Sequence, residues 1–293
     1  MPWPKSLSKK IKTKVNLANH TSFKIGGQAE YFFEPKNLKS LQQVLVSAQQ
    51  AGKRVFILGA GSNILVSQAG LDGLVIRLSS KDFRNCSGYG SCVVAGSGLK
   101  LNVLISFSQK KNLSGLEFLV GIPGTLGGSL MGNAGAGSKS IGELVKQVGV
   151  LDYHGKLKLL RSKQLKFAYR KSNLNKYIII WAKLKLQAAP KKIIAAKINE
   201  YLLRRKQSPG NNLPNAGCIF KNPACGSAGR LIDSCGLKGK ARGGAVISKR
   251  HANFILNTGH AKSGDVLSLM DLMQKKVKER FKINLEPEIK IWK

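Results

Sequence analysis

Apolar and polar positions alternate along the chain with periods that change from segment to segment. Residues Phe23 to Pro35, FKIGGQAEYFFEP, read as two short strands around a Gly-Gly turn. Lys39 to Ala51 follows with Leu41, Val44, Leu45 and Ala48 at helical spacing. RVFILGAGSNILV then gives an apolar strand, a glycine turn and a second apolar stretch, a β-α-β opening that predicts an α/β first domain. From about Leu74 to Leu186 the pattern changes. VVAGSGLKLNVLISFSQKKN reads as strand, turn and helix, and strands follow around VGVLDYHGKLKLL and IIIWAKLKLQ, an α+β second domain.

Ala188-Ala-Pro190 has the composition of a linker. KKIIAAKINEYLLRRKQ after it predicts a helix with Ile194, Ile198 and Leu202 on one face. SGDVLSLMDLMQKKVKERF predicts another, with Val266, Leu269, Met270, Met273, Val277 and Phe281 facing the core, Ser263 as N-cap and Asp265 at its positive end. NLEPEIKIW closes the chain as a strand. No internal repeat or low-complexity segment interrupts this order.

Composition narrows the class. With 43% hydrophobic and 22% charged residues over 293 positions, the chain is globular and long enough for two or three domains. Its longest strongly apolar run, Tyr177 to Ala182, is far too short to span a bilayer. The N-terminal MPWPKSLSKKIKTKVNLANH is basic without an apolar core, so it reads as a short tail rather than a signal peptide. Cys86, Cys92, Cys218, Cys225 and Cys235 show no C-x-x-C spacing, which predicts reduced thiols and a cytoplasmic setting. Lys and Arg total 49 against 14 acids, a formal charge of +35 that attracts anions of any kind. The basic residues are spread along the chain, and no zinc finger, RNA-recognition signature or basic heptad accompanies them, so a specific nucleic-acid partner is not expected.

Two glycine-rich turns carry candidate chemistry. LGAGSNILV places Gly59, Gly61, Ser62 and Asn63 directly after an apolar strand, where backbone N–H groups and short polar side chains can approach a phosphate. Ile64 stands where a dinucleotide fingerprint has its third glycine, and no Gly-Lys-Ser/Thr follows, so neither standard phosphate motif is present. The second, GLEFLVGIPGTLGGSLMGNAGAG, holds eight glycines in residues 115–137 among core-type side chains. That mixture suggests a buried backbone lying close against an extended ligand, and two such loops suit a dinucleotide. NAGCIFKNP adds a lone thiol, Cys218, open to three readings: a packed core thiol, a metal or disulfide partner, or an acid-base group.

GAGSNILV and the second glycine block together resemble the flavin-binding unit of the vanillyl-alcohol-oxidase (PCMH) type. YRKS (Tyr169 to Ser172), AGCIFKNP, SAGRLIDSCGLKGKARGGAVISKRHANFILN and LEPEIKIW extend the likeness. In order and spacing, from about Asn19 to Trp292, the motifs resemble the UDP-N-acetylenolpyruvoylglucosamine reductase (MurB) family.

The resemblance implies an α+β fold of three domains, two forming the FAD-binding unit (1–78, to which 284–293 returns, and 79–187) and an α/β substrate domain (188–283). It implies FAD, NADPH and a UDP-sugar enolpyruvyl ether as substrate, in a monomer. FAD would lie against Gly59, Gly61, Ser62, Asn63, Ile122, Pro123, Gly124, Gly127, Gly128, Asn133 and Gly135. Arg170 matches the family's catalytic arginine, able to hold a carboxylate bidentately. Cys218 matches the proton donor, Ser or Cys across the family; a thiol with an ordinary pKa of about 8.5 is mostly protonated at neutral pH. Glu288 matches the third catalytic residue, with Glu286 two positions earlier as its rival. Tyr169, Lys221 and Asn222 would contact substrate, and His251 and Asn253 are further candidates. The stretch from Tyr169 to Ala188 lacks a long insertion, as in the shorter of the family's two subtypes, which leaves the clamp on the substrate diphosphate unassigned. A different flavoprotein oxidase and a basic nucleic-acid- or anion-binding protein are the competing classes.

Overall fold

The structure, a computed structural model, describes residues 3–207 and 213–293. The chain divides into two units. Unit 1 comprises 1–13, 31–60 and 73–208; unit 2 comprises 14–30, 61–72 and 209–293. Each is therefore built from three separate stretches. Strands and helices mix throughout, an α+β architecture.

Unit 1 holds two hydrophobic cores. The first gathers Trp3, Leu7 and Ile11 with Phe33, the helix Leu38–Gln50, and Leu74, Ile76 and Leu78. That helix forms as its spacing predicts. Asn37 caps it by accepting from the Ser40 N–H at 3.0 Å, and Leu41, Val44, Leu45 and Ala48 are buried. The strand Val55–Leu58 then pairs in parallel with Leu71–Arg77, Val55 opposite Leu74. The basic N-terminal tail expected from the sequence is not one: Trp3, Leu7 and Ile11 are fastened into this core.

The second core of unit 1 lies under a five-stranded antiparallel sheet. Its order is Leu157–Arg161, Val145–Leu151, Ile178–Lys185, Cys92–Gly96, Cys86–Tyr89. Alternate residues such as Val93, Ala95, Val148, Ala182 and Leu184 point into that core, joined by Leu101, Leu104 and Ile105 of the helix Leu101–Lys110. The linker expected at Ala188–Pro190 is an ordered part of unit 1. Gln187–Ala188 pairs with Leu113–Ser114, and the helix Lys191–Gln207 sets Ile198 and Tyr201 against the same core, with Ile194 also buried.

Unit 2 packs a three-stranded sheet, Ala241–Arg242, Ala245–Ile247 and Ile255–Asn257, with the helices Ala228–Ser234 and Ser263–Phe281. Val266, Leu269, Met270, Met273 and Val277 are its buried stripe, as read from the sequence. The N-cap differs: it is Lys262, whose N–H donates to Asp265 Oδ2 at 2.9 Å, while the Ser263 hydroxyl accepts from the Gln68 N–H at 2.9 Å. The first of the two strands expected in Phe23–Pro35 is also absent. Phe23 and Ile25 are core residues of unit 2 outside any strand, and only Gln28–Phe33 is extended. The last strand, Lys290–Trp292, runs parallel to Ile64–Val66.

Candidate active site

The stretch around Cys218 is set by two local devices. Asn215 Oδ1 accepts from the Gly217 N–H at 3.0 Å, and Gly217 adopts a left-handed φ of +78°, a turn that glycine enters without steric cost. Cys218 follows, half-buried, and Ile219 and Phe220 anchor it in the core of unit 2.

Backbone on both sides then fixes the register. The Ile219 N–H donates to the Asn253 carbonyl at 2.9 Å. The Asn253 amide grips the next residue twice, accepting from the Phe220 N–H at 2.9 Å and donating to the Phe220 carbonyl at 2.8 Å. From the other side the Glu288 N–H donates to the Ile219 carbonyl at 2.8 Å, and the Lys221 N–H to the Glu286 carbonyl at 2.9 Å. Phe220 and Pro287 form the bridge between them. Cys218, Lys221, Glu286 and Glu288 are thus held on one ribbon.

Lys221 makes an ion pair with Glu286, and Asn222 accepts from the Ala228 N–H at 3.1 Å at the start of a helix. Asn253 is 1% exposed, and its amide is engaged at both ends by Phe220. Its side chain is a clasp for the Cys218 strand. His251 is half-buried beside it, its Nδ1 accepting from the Asn253 N–H at 3.2 Å; burial holds its pKa below the ordinary histidine value.

The same unit brings part of the first glycine turn to this ribbon. Gly61 has φ +67°, and a Cβ there would fall 2.1 Å from the His20 carbonyl oxygen. The Ser22 N–H donates to the Gly61 carbonyl at 3.0 Å, and the Ser22 hydroxyl to the Asn215 carbonyl at 2.6 Å. Asn63 Nδ2 donates to the Glu288 carbonyl at 3.2 Å, and the Lys290 N–H to the Asn63 carbonyl at 2.9 Å. Ser22 carries no motif signal; its partners lie far away in sequence.

Unit 1 joins Gly59 to the second glycine block. A Cβ on Gly59 would lie 2.8 Å from Thr125 Oγ1, the hydroxyl that caps the short helix Leu126–Met131 by accepting from the Gly128 N–H. Gly127 meets the loop after Cys92–Gly96: its N–H donates to the Ser97 carbonyl at 2.8 Å, and a Cβ would be 3.0 Å from that of Ser97. The Ser97 hydroxyl is buried there with no hydrogen-bond partner. Gly128 has an open side, with nothing nearer to its Cβ position than Thr125 Oγ1 at 3.6 Å. Gly135 is explained by its own hairpin, where a Cβ would meet the Lys139 carbonyl at 2.3 Å. The Asn133 amide braces the block, donating to the Ala168 carbonyl at 2.9 Å and accepting from the Gly142 N–H at 3.0 Å.

Tyr169 and Arg170 are the turn of a hairpin in which Ala168 pairs with Lys171. Arg170 adopts φ +52°, its Nη2 donates to the Gly135 carbonyl at 3.3 Å, and its guanidinium lies 5.1 Å from the Tyr169 ring centre. It borders an open cleft of about 430 Å³ with Gly135–Lys139, Tyr201 and Arg204. Three cations face this cleft. Arg204 is paired with Glu200 at 2.7 Å. Lys139 and Arg204 were invisible as site residues in the sequence because the basic background hides any one cation.

None of the five cysteines forms a disulfide, and burial pushes the Cys86 thiol up to about 11, well away from acid-base service at neutral pH. Among the described residues no group of three His, Cys, Asp or Glu side chains could hold a metal ion, and no helix is long and apolar enough to cross a membrane.

Comparison with known proteins gives the family. Residues 29–160 match an FAD binding domain, and residues 208–292 match the UDP-N-acetylenolpyruvoylglucosamine reductase C-terminal domain. A UDP-N-acetylenolpyruvoylglucosamine reductase of Caldanaerobacter subterraneus is 40% identical over 98% of this chain and 96% of its own. That of Moorella thermoacetica is 37% identical over 98% and 94%. The crystal structure of the Thermus caldophilus reductase superposes with a TM-score of 0.83 at 34% identity, covering 97% of this chain and 99% of that one. At this identity, and over nearly the full length of both proteins, the chain belongs to the UDP-N-acetylenolpyruvoylglucosamine reductase family.

Proposed function

We infer that this protein catalyses the NADPH-dependent reduction of the enolpyruvyl ether of UDP-N-acetylglucosamine to UDP-N-acetylmuramate, a step of peptidoglycan precursor synthesis. The observation that carries the reading is the ribbon that holds Cys218, Lys221 and Glu288 in fixed register. The glycine turns fit FAD: Gly59 and Gly127 bring backbone close, Gly128 is open, and the buried Ser97 hydroxyl is an additional polar group beside them. Gly59, Gly61, Ser62, Asn63, Ile122, Pro123, Gly124, Gly127, Gly128, Asn133 and Gly135 are the residues assigned to hold it. Bound there, FAD would supply the hydride carrier between NADPH and C3 of the enolpyruvyl group.

The chain's own side chains complete the step. Hydride addition at C3 leaves negative charge on C2 and the carboxylate, and a fixed guanidinium is suited to stabilise it. Arg170 is assigned that role, and Tyr169 supports its guanidinium from the side. The Cys218 thiol gives its proton to C2. Glu288 is assigned as the third group, and Glu286, its rival, pairs with Lys221. Lys221 and Asn222 contact substrate, Lys221 by exchanging Glu286 for a substrate anion. The reading takes the protein as a cytoplasmic monomer without a specific nucleic-acid partner, a state that light scattering checks.

Stopped-flow flavin absorbance tests the assignment. In Cys218→Ala, bleaching by NADPH should keep its rate, while recolouring by the enolpyruvyl substrate should slow by about 1,000-fold, the scale of a lost general acid. Cys218→Ser should retain turnover. Recolouring of Cys218→Ala at the wild-type rate would remove Cys218 from the mechanism.

A further inference from the structure

The five-stranded sheet of unit 1 buries most of one face and less of the other. The partly covered face carries Leu157, Leu159 and Arg161 from one edge strand, Trp181 and Lys183 from the centre, and Tyr89 from the far edge. Toward one end, Leu151, Ile178 and Ile180 run into the core around Trp3 and Leu41. Beyond them the face is open: Leu157 is 52% exposed, Leu159 47% and Tyr89 93%. The Trp181 indole lies flat across the sheet over Gly149, where a Cβ would come within 2.2 Å of its Nε1. Substituting Gly149 would therefore displace the indole.

Charge on this face has one sign. None of the five strands contains an Asp or Glu, while Arg161, Lys183 and Lys185 stand on the open side. Asp152, in the turn before Leu157, is paired with Lys158 at 3.0 Å. Exposed leucines with an interfacial Trp and Tyr, and with cations toward one end of the face, have the composition of a surface that settles at a lipid headgroup boundary. An anionic bilayer complements both parts at once: acyl carbon for the leucines and headgroup phosphate for the cations. Nucleic acid would use the cations but leave Leu157 and Leu159 unsatisfied, and Tyr89 stands at the opposite edge of the sheet, about 19 Å from the leucine strand, too far to share a stacking platform. We propose that this sheet face docks the protein peripherally on an anionic lipid surface.

Co-sedimentation of the flavin-loaded protein with vesicles tests this, using phosphatidylcholine alone and phosphatidylcholine mixed with phosphatidylglycerol. Binding is expected only to the mixed vesicles, and to weaken as salt is raised. Leu157→Ser with Leu159→Ser should bind about tenfold more weakly, from the apolar area no longer buried, with flavin absorbance and the NADPH bleaching rate unchanged. Arg161→Glu provides a second, exposed change and should weaken binding to the same vesicles. The proposal is overturned if the wild type ignores mixed vesicles, if both variants bind them as tightly as the wild type, or if a single-stranded oligonucleotide at equal salt displaces the vesicles while the leucine variant binds that oligonucleotide normally.

Discussion

Arg170 occupies a left-handed backbone conformation at the tip of a hairpin, φ +52°, where glycine would sit without strain. A non-glycine residue there costs on the order of 1 kcal/mol. The position therefore gives up stability to keep a guanidinium beside Gly135 and Tyr169. Arg170→Gly should raise the unfolding free energy by up to about 1 kcal/mol in denaturant titration while abolishing recolouring of the reduced flavin by substrate. Arg170→Lys keeps the charge but not the planar fork, and should slow recolouring about 100-fold with NADPH bleaching intact. Equal loss in both half-reactions would mean that the hairpin supports the flavin instead. His251 gives a second residue-scale prediction. Burial lowers its pKa in the folded state, so on acidification the unfolded chain takes up the proton first, near the ordinary value of about 6.5. Its contribution to stability is complete above that pH and is lost as the pH falls toward the lowered folded value. Between about pH 7.5 and about pH 5, wild type should lose more stability than His251→Gln; parallel pH profiles would contradict the burial effect.

At the scale of elements, the Cys218 ribbon depends on one amide. Asn253→Ala would leave the Phe220 N–H and carbonyl without their partner in a buried setting. A loss of about 3 kcal/mol is expected in chemical denaturation, the sum of two unsatisfied backbone groups and a small cavity. Asn253→Asp restores only the acceptor and should recover part of it; no loss in either variant would show that the ribbon is held by Glu286–Glu288 alone. This clasp also marks the limit of what the sequence discloses. Helices with a clear apolar stripe and a strong local signal, such as Leu38–Gln50 and Ser263–Phe281, are legible because period and burial agree. At Ala188–Pro190, Phe23 and the N-terminal stretch the structure departs from the sequence pattern for one reason. Their conformation is decided by distant partners: Leu113–Ser114, the core of unit 2, and the core around Leu41. The site divides the same way. Cys218 stands out in the sequence as a lone thiol, but its role, like those of Arg170 and Glu288, comes only through a family resemblance, whereas Asn253 is legible as a residue but not as a clasp, because its partner Phe220 is 33 positions away.

Over the whole molecule, the charge of +35 acts at a longer range than any of these contacts. NADPH and a UDP-sugar are both polyanions, so on the proposed reading a positive field concentrates them near the protein and accelerates encounter. Lys139, Arg170 and Arg204 around one cleft are the local form of the same bias. The field is screened over about 10 Å at 0.1 M salt, while a proton transfer inside a ligand-filled site is screened far less. The two effects therefore separate kinetically. Raising sodium chloride from about 10 mM to about 500 mM should lower kcat/KM for NADPH by about tenfold and leave kcat within about twofold. A neutral osmolyte at matched osmolarity should do neither, which distinguishes screening from a change in water activity. Charge reversal at exposed lysines remote from the cleft should reproduce part of the salt effect, since the field sums over the surface. If kcat/KM stayed flat across that range, the excess lysine would have no part in capturing substrate, and its remaining expression would be in what the protein adheres to.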